Sequence, residues 1–476
     1  MRDEFIYLFP FEKIHYGKRI LIYGAGDVGF QYVKQLAMTS YAEVVGFIDR
    51  DKDRMRINNI PIYSIEDVGS LNYDYVIVAL KSGTNAKLVI NDLKNQGVSE
   101  ERLIWIGPRS DPNIIVSDED TEEEGERDSF EDKECISVAI RCATGIGDLI
   151  ICKRFIEELC SYSDKIMVDI YAPHNSDVMD AIYSDCKQIA HYISDGGGKY
   201  AANRDKYSLA ITCTYLVEID YVDIERIEKK SSAVAIMAKK LMDNIDSYGL
   251  KPYPNIQNKL HYERAKYKGE NCISAYNYTG ICDIMDDHVN LPLKSEYEET
   301  YRSLSLGRYL TIGYGNGMNK YNEKTRMISK QWPINNFEKL ISRIKTTFPE
   351  ITIIQLGTNN SDRVHGADRY IFGESLEIVK YILRGAITHI DIEGGLVHIA
   401  THLGTKCIVI FGPTDVNYFG YRQNINIVSP LCSNCSALYT NMYQCAKGLE
   451  KPECMCSITP EKVMFYIDEY IRSIID

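Results

Sequence analysis

Short apolar runs and helical stripes alternate along most of the chain. Apolar stretches at Arg19 to Tyr23, Val44 to Asp49 and Tyr75 to Leu80 predict three strands near the N-terminus. A second group follows at Ile136 to Arg141, Ile166 to Tyr171 and Leu209 to Cys213. A third comprises Tyr309 to Gly313, Ile351 to Leu356, Ile387 to Ile392 and Cys407 to Phe411. Within this last group Phe337, Leu340, Ile341 and Ile344 recur at i, i+3, i+4, i+7, one face of a helix, and Leu376, Val379 and Leu383 repeat the pattern. The chain ends on a stripe of Val463, Ile467, Tyr470, Ile471 and Ile474, entered through Thr459 as N-cap and Pro460 at the first helical position. Continuous apolar strands alternating with amphipathic helices predict parallel sheets covered on both faces. The pattern reads as an α/β protein with three Rossmann-like units in series.

Length agrees with that count, since 476 residues correspond to about three domains. The net charge of −13 excludes a nucleic-acid polycation, but it is unevenly spread. Asp118 to Glu134 alone holds eleven acids and two bases, so the rest of the chain keeps room for local phosphate-binding charge. Residues 111–134 have almost no apolar side chains and predict a solvated linker. A second, weaker break lies at Ser303 to Arg308. The expected division is 1–110, the linker 111–134, then 135–305 and 306–476. No apolar run approaches the roughly 18 residues of a membrane span. The acidic start Met1-Arg2-Asp3-Glu4 does not suit a signal peptide, and fourteen cysteines without one suggest a reducing compartment. The expectation is a soluble, cytoplasmic protein.

Three loops carry candidate chemistry. Strand Arg19 to Tyr23 runs into Gly24-Ala25-Gly26-Asp27-Val28-Gly29, and Asp49 closes the next strand twenty residues after Gly29. In such a loop Gly24 permits the tight turn, Gly26 lets backbone approach a pyrophosphate, and Gly29 allows helix–strand packing; Asp49 would bond a ribose hydroxyl. NAD or another nucleotide is the expected ligand, and a scaffold that binds nothing is the plainer reading. The second loop, Ala143 to Asp148, sets Asp148 at a helix N-terminus, where capping alone would also explain it. The third site combines Lys330-Gln331-Trp332-Pro333 with Glu393-Gly394-Gly395-Leu396-Val397-His398 after a strand. A glycine pair at a helix N-terminus offers backbone N–H groups to a diphosphate, and Lys330 adds a full charge. A solvated lysine, a Trp–Pro packing pair and an ordinary turn are the plainer readings there.

From residue 135 onward the chain resembles glycosyltransferase family 9, the ADP-heptose:lipopolysaccharide heptosyltransferases and their relatives. The likeness rests on "GIGDLI" at Gly145 to Ile150, "KQWP" at Lys330 to Pro333, "IIQLG" at Ile353 to Gly357, and "EGGLVHIATHLGTKCIVIFGPTD" at Glu393 to Asp415, with "CMCSITPEKV" following. The resemblance implies a GT-B fold: two Rossmann-like lobes facing across a cleft, the first for the acceptor and the second for a nucleotide-diphosphate sugar. It implies inverting transfer, metal-independent at the reacting bond, onto a surface glycan, lipid-linked or protein acceptor, with possible peripheral association at the inner membrane face. By position it makes Asp148 the catalytic base, Lys330 the lysine on the donor phosphates, and Glu393, Gly394, Gly395, Leu396 and His398 the donor-binding loop. The family usually has Asp-Ser/Thr-Gly where this chain has Glu393-Gly394-Gly395, so a carboxylate is kept and a hydroxyl lost. The first unit is similar to N-terminal domains of polysaccharide-biosynthesis epimerases, dehydratases and sugar acetyltransferases over residues 18–107.

Five cysteines crowd the end of the chain. Cys432 and Cys435 form a C-x-x-C pair, and Cys445, Cys454 and Cys456 follow. Cys432, Cys435, Cys445 and Cys454 are the best tetrad for a structural zinc or iron, with packed thiols or a redox disulfide as the other readings. Some members of the resembled family hold iron in a four-cysteine finger. His398 and His402 at i, i+4 invite a zinc reading too, but no His-Glu-x-x-His accompanies them, and His402 is expected to be packed or solvent-facing. Two rival functions stay open: a bifunctional sugar-nucleotide enzyme with an NAD-dependent first domain, and a non-catalytic nucleotide-sugar-binding protein.

Overall fold

The computed structural model describes residues 7, 9–10, 13–39, 41–50, 56–57, 60–106, 134–143, 145–195, 198–214, 216–248, 262, 265–314, 328–432, 434–436, 445, 447 and 449–475. Apart from Glu134, the expected acidic linker lies outside them. The contacts divide the chain into two compact units.

The first unit contains β1 (Arg19–Tyr23), α1 (Asp27–Thr39), β2 (Glu43–Ile48), β3 (Arg56–Ile57), β4 (Ile60–Tyr63), β5 (Tyr75–Val78), α2 (Gly83–Asn95) and β6 (Leu103–Ile104). Its sheet runs β3-β4-β2-β1-β5-β6, parallel throughout except for the β3–β4 pair. Strand order reverses between β1 and β5, and such a switch point opens a crevice at the strands' carboxyl ends. Buried Ile20, Ile22, Phe47 and Ile77 fill one face of the sheet, while Leu21, Ile48, Val76 and Val78 fill the other.

The second unit holds two sheets. In the first lobe come β7 (Ile136–Cys142), α3 (Ile146–Cys160), β8 (Ile166–Ala172), α4 (Ser176–Tyr183), β9 (Ile189–Ser194), α5 (Gly198–Asn203), β10 (Leu209–Cys213), β11 (Val217–Val222), α6 (Ile224–Glu228) and α7 (Ser232–Tyr248). The sheet order is β11-β10-β7-β8-β9, with only β10–β11 antiparallel. After α8 (Glu298–Ser303), the second lobe adds β12 (Tyr309–Gly313), α9 (Ile334–Thr347), β13 (Thr352–Gly357), β14 (Arg369–Phe372), α10 (Leu376–Gly385), β15 (His389–Ile392), α11 (Gly395–His402), β16 (Cys407–Phe411), α12 (Val416–Phe419), β17 (Ile425–Val428), α13 (Glu453–Cys456) and α14 (Pro460–Ile475). Its six strands are all parallel, in the order β14-β13-β12-β15-β16-β17.

The helix faces follow the sequence pattern with two departures. Phe337, Leu340, Ile341 and Ile344 are all buried. In α10 the buried set includes Glu377, Ile378, Lys380, Tyr381, Ile382 and Leu383, whereas Leu376 and Val379 are half-buried. That helix packs on α4 of the other lobe as well as on α8 and α11, so a second face is covered. In α14 Val463, Ile467 and Ile471 enter the core, but Ile474 near the helix end is exposed. Thr459 accepts from Lys462 N at 3.3 Å, as an N-cap does. Among the described residues no helix is long and apolar enough to cross a membrane.

Candidate functional site

Two strand-to-helix loops, one from each lobe of the second unit, meet head to head. β7 leads through Gly145 into α3, with Asp148 in its first turn. β15 leads through Glu393 and Gly394 into α11, and α11 packs against α3. The approach is closer than side chains allow. A Cβ on Gly147 would lie 2.5 Å from His398 Cδ2, and one on Gly395 would lie 3.2 Å from Ile146 Cβ. Position 147 therefore needs glycine for the loops to touch, while a methyl at Gly395 would only have to press Ile146 back slightly. Carboxylates in the first turn of α3 and at the entry to α11 also sit where helix dipoles favour negative charge.

The charges interlock. Lys330 Nζ lies 2.5 Å from Glu393 Oε2, and His398 Nε2 lies 3.5 Å from Glu393 Oε1. Burial alone would raise the Glu393 carboxyl, but the lysine and histidine outweigh it and hold it at about 2. Asp148 behaves the other way. Burial pushes its carboxyl up and Glu393 adds to this, against the pull of His398 and Lys330. One carboxylate is thus firmly ionised and the other made more basic, a division that suits a structural anion beside a proton acceptor.

Lys330 is positioned from a distance. Trp332 is fully buried, stacks edge-on against Phe337 at 4.8 Å, and donates its indole N–H to Ile458 O at 2.8 Å. The "KQWP" stretch is therefore a charge next to its own anchor, joining the two readings that the sequence left separate. His402, expected to be packed or solvent-facing, is buried and contacts Tyr421. Tyr421 has no motif around it, and sequence reasoning missed it.

The cysteine expectation fares differently. Among the described residues no group of three or more His, Cys, Asp or Glu is placed to hold a metal ion, the set Cys432, Cys435, Cys445 and Cys454 included. Cys454 is buried in the core of the second lobe and Cys432 packs against that core. Cys435 packs against the core of the first unit. Several neighbours of Cys445 lie outside the described residues.

In the first unit Gly24 has φ 104°, the left-handed region that favours glycine, and Gly29 is packed so tightly that a Cβ would fall 2.1 Å from Gly24 O. Gly26 faces open space, with nothing within 4 Å of its Cβ position. Asp49 is already engaged with the loop, since its Oδ2 accepts the Ala25 N–H at 2.7 Å. The open face at Gly26 fits an approaching phosphate, while that backbone donor and Asp49 oxygen are bonded to each other.

Two lobes within one unit, one sheet parallel throughout and the other but for an antiparallel edge strand, meeting at the carboxyl ends of β7 and β15, are the GT-B arrangement. The profile of glycosyltransferase family 9 (heptosyltransferase) matches residues 316–455, and that of the C2185-like N-terminal domain matches residues 16–104. The chain thus resembles family 9 over a stretch that includes Lys330, Glu393, His398 and Tyr421, with Asp148 outside it. Similar solved structures include ADP-heptose lps heptosyltransferase II of E. coli, at 11% identity over 72% of this chain and 100% of that one, TM-score 0.45. The iron-containing dodecameric glycosyltransferase TibC from enterotoxigenic E. coli matches at 13% identity over 72% and 77%, TM-score 0.48. E. coli heptosyltransferase WaaC with ADP matches at 15% identity over 71% and 98%, TM-score 0.35. No curated protein matches the chain.

Proposed function

We propose that the second unit is an inverting glycosyltransferase moving a sugar, heptose or a relative, from a nucleoside-diphosphate donor to an acceptor hydroxyl. The observation that carries the reading is the meeting of Asp148 with the Lys330, Glu393 and His398 set across two glycine loops. Asp148 acts as general base, taking the acceptor proton as its oxygen attacks the anomeric carbon. The departing diphosphate is met by Lys330 and by the first-turn amides of α11 at Gly395 and Leu396, which have no earlier helical carbonyl to bond. Glu393 holds Lys330 at that helix entrance. No metal is required at the reacting bond in this scheme, because the lysine and the helix N-terminus supply the positive charge.

The acceptor would be a bacterial surface glycan, lipid-linked or protein hydroxyl, and the site of action the cytoplasm. The first unit would hold a nucleotide at Gly24, Gly26, Gly29 and Asp49. The test is a panel of nucleoside-diphosphate sugars screened for thermal stabilisation, followed by Asp148→Asn. Transfer should fall by about 10²–10⁴-fold while stabilisation by the donor persists. Undiminished transfer would remove Asp148 as base, and no stabilisation by any donor would remove the donor site.

A further inference from the structure

A buried hydrogen-bond chain runs behind the Glu393–His398 pair, and a backbone amide fixes its direction. Val289 N donates to His402 Nδ1 at 3.2 Å, and an amide N–H can only donate, so that ring nitrogen carries a lone pair. Burial holds His402 well below the ordinary imidazole value, with His398 and His288 adding to the effect, so the ring is neutral. Its proton therefore sits on Nε2, which is 3.0 Å from the Tyr421 hydroxyl. Having accepted there, the hydroxyl turns its own proton to its other partner, His398 Nδ1, at 2.6 Å. His398 Nδ1 is then an acceptor, and the ring's proton lies on Nε2, 3.5 Å from Glu393 Oε1. All three side chains are buried, so water does not compete for these bonds.

We infer that Tyr421 and His402 are positioning residues that hold His398 as its Nε2-protonated tautomer, a hydrogen-bond donor directed at Glu393. The consequence, which rests on the proposed function, concerns the division of labour in the cleft. A histidine presenting N–H at Nε2 cannot take a proton from an acceptor hydroxyl at that atom, so the task falls to the Asp148 carboxylate. His398 instead supports the carboxylate that pairs with Lys330.

The test is nitrogen NMR on the whole chain labelled with 15N-histidine, near neutral pH and without ligand, with His398 assigned by loss of its signals in His398→Asn. The expected spectrum shows Nδ1 unprotonated and Nε2 protonated. Protonation at Nδ1 with a bare Nε2, or at both nitrogens, overturns the inference. Tyr421→Phe and His402→Leu should shift the His398 Nδ1 resonance, by loss of its donor or by tautomer mixing. His402→Gln should restore it, because a glutamine amide accepts from Val289 N–H and donates to Tyr421. Unchanged His398 signals in both Tyr421→Phe and His402→Leu would also overturn it. The panel of nucleoside-diphosphate sugars, applied to the unsubstituted protein, reports separately on the donor site: the expected tautomer with stabilisation by none of them would uphold the inference and remove the functional reading.

Discussion

Lys153 and Lys380 come from opposite lobes and reach carbonyls that are neighbours in sequence. Lys153 Nζ donates to Ile182 O at 2.8 Å and Asn290 O at 2.6 Å, while Lys380 Nζ donates to Ala181 O at 2.6 Å and Pro292 O at 2.5 Å. Both side chains are essentially fully buried. The end of α4 and the segment from Asn290 to Pro292 are thus gripped by both lobes. The grip carries charge partners too. Asp185 lies 2.5 Å from Lys153, and Glu377 lies 3.0 Å from Lys380.

Removing one member of such a buried pair should cost more than removing both. Lys380→Met leaves Glu377 with Lys294 alone, 3.4 Å away, and takes the donor from two carbonyls, and it is expected to destabilise the second unit by about 1–3 kcal/mol. The Glu377→Gln, Lys380→Met double substitution should recover a substantial part. Denaturant unfolding measures both, and equal losses would show that the weakened pairing of Glu377 is not the cause.

Gly147→Ala places a methyl 2.5 Å from the His398 ring edge, so either the ring or α3 must move. The expected cost is about 1–3 kcal/mol of stability, with a larger loss of activity. His398→Ala in the same chain should make the combined cost smaller than the sum of the two single substitutions, because the obstructing ring is gone, without returning activity. Melting temperature and transfer rate, measured together, separate the two effects.

Glu393 links stability to pH with a definite sign. Its folded value, about 2, lies below the ordinary 4.5, so its contribution is present above about pH 4.5 and is lost as pH falls towards 2. A depression of that size corresponds to about 3 kcal/mol. The difference in unfolding free energy between the unsubstituted chain and Glu393→Gln should stay level near neutral pH and shrink in acid. A difference that does not change between pH 5 and 2.5 would contradict the ion-pair account.

Gly26 and Gly29 of the first loop should part company. Gly29→Ala drives a methyl against Gly24 O and is expected to disrupt the first unit, read as a loss of its thermal transition. Gly26→Ala meets nothing and should fold normally. If that loop takes a phosphate, Gly26→Ala alone abolishes nucleotide binding by a folded unit, and retained binding would place the ligand elsewhere.

The central strands were legible because each is buried on both faces, so that Arg19–Tyr23, Leu209–Cys213, Tyr309–Gly313 and Cys407–Phe411 coincide with their apolar runs. The edge strands β9, β11, β14 and β17 were not, since Ile189–Ser194 and Arg369–Phe372 are only half-buried and carry polar residues among the apolar ones. Asp148, Lys330 and Glu393 stood out because a strand–loop–helix pattern is local. What each touches is not local. No motif marks Lys153 in the sequence, and the carbonyls it reaches, Ile182 O and Asn290 O, lie 29 and 137 residues away. Tyr421 joins His398 and His402 across 23 and 19 residues, a relation no spacing rule encodes.

The Trp332 bond to Ile458 spans 126 residues and lies two positions from Lys330. The stretch just before the terminal helix is therefore a remote part of the charge machinery. Shortening the chain from that end would withdraw the peg on which Lys330 hangs, and the cleft would lose that charge's placement with every one of its own residues still present.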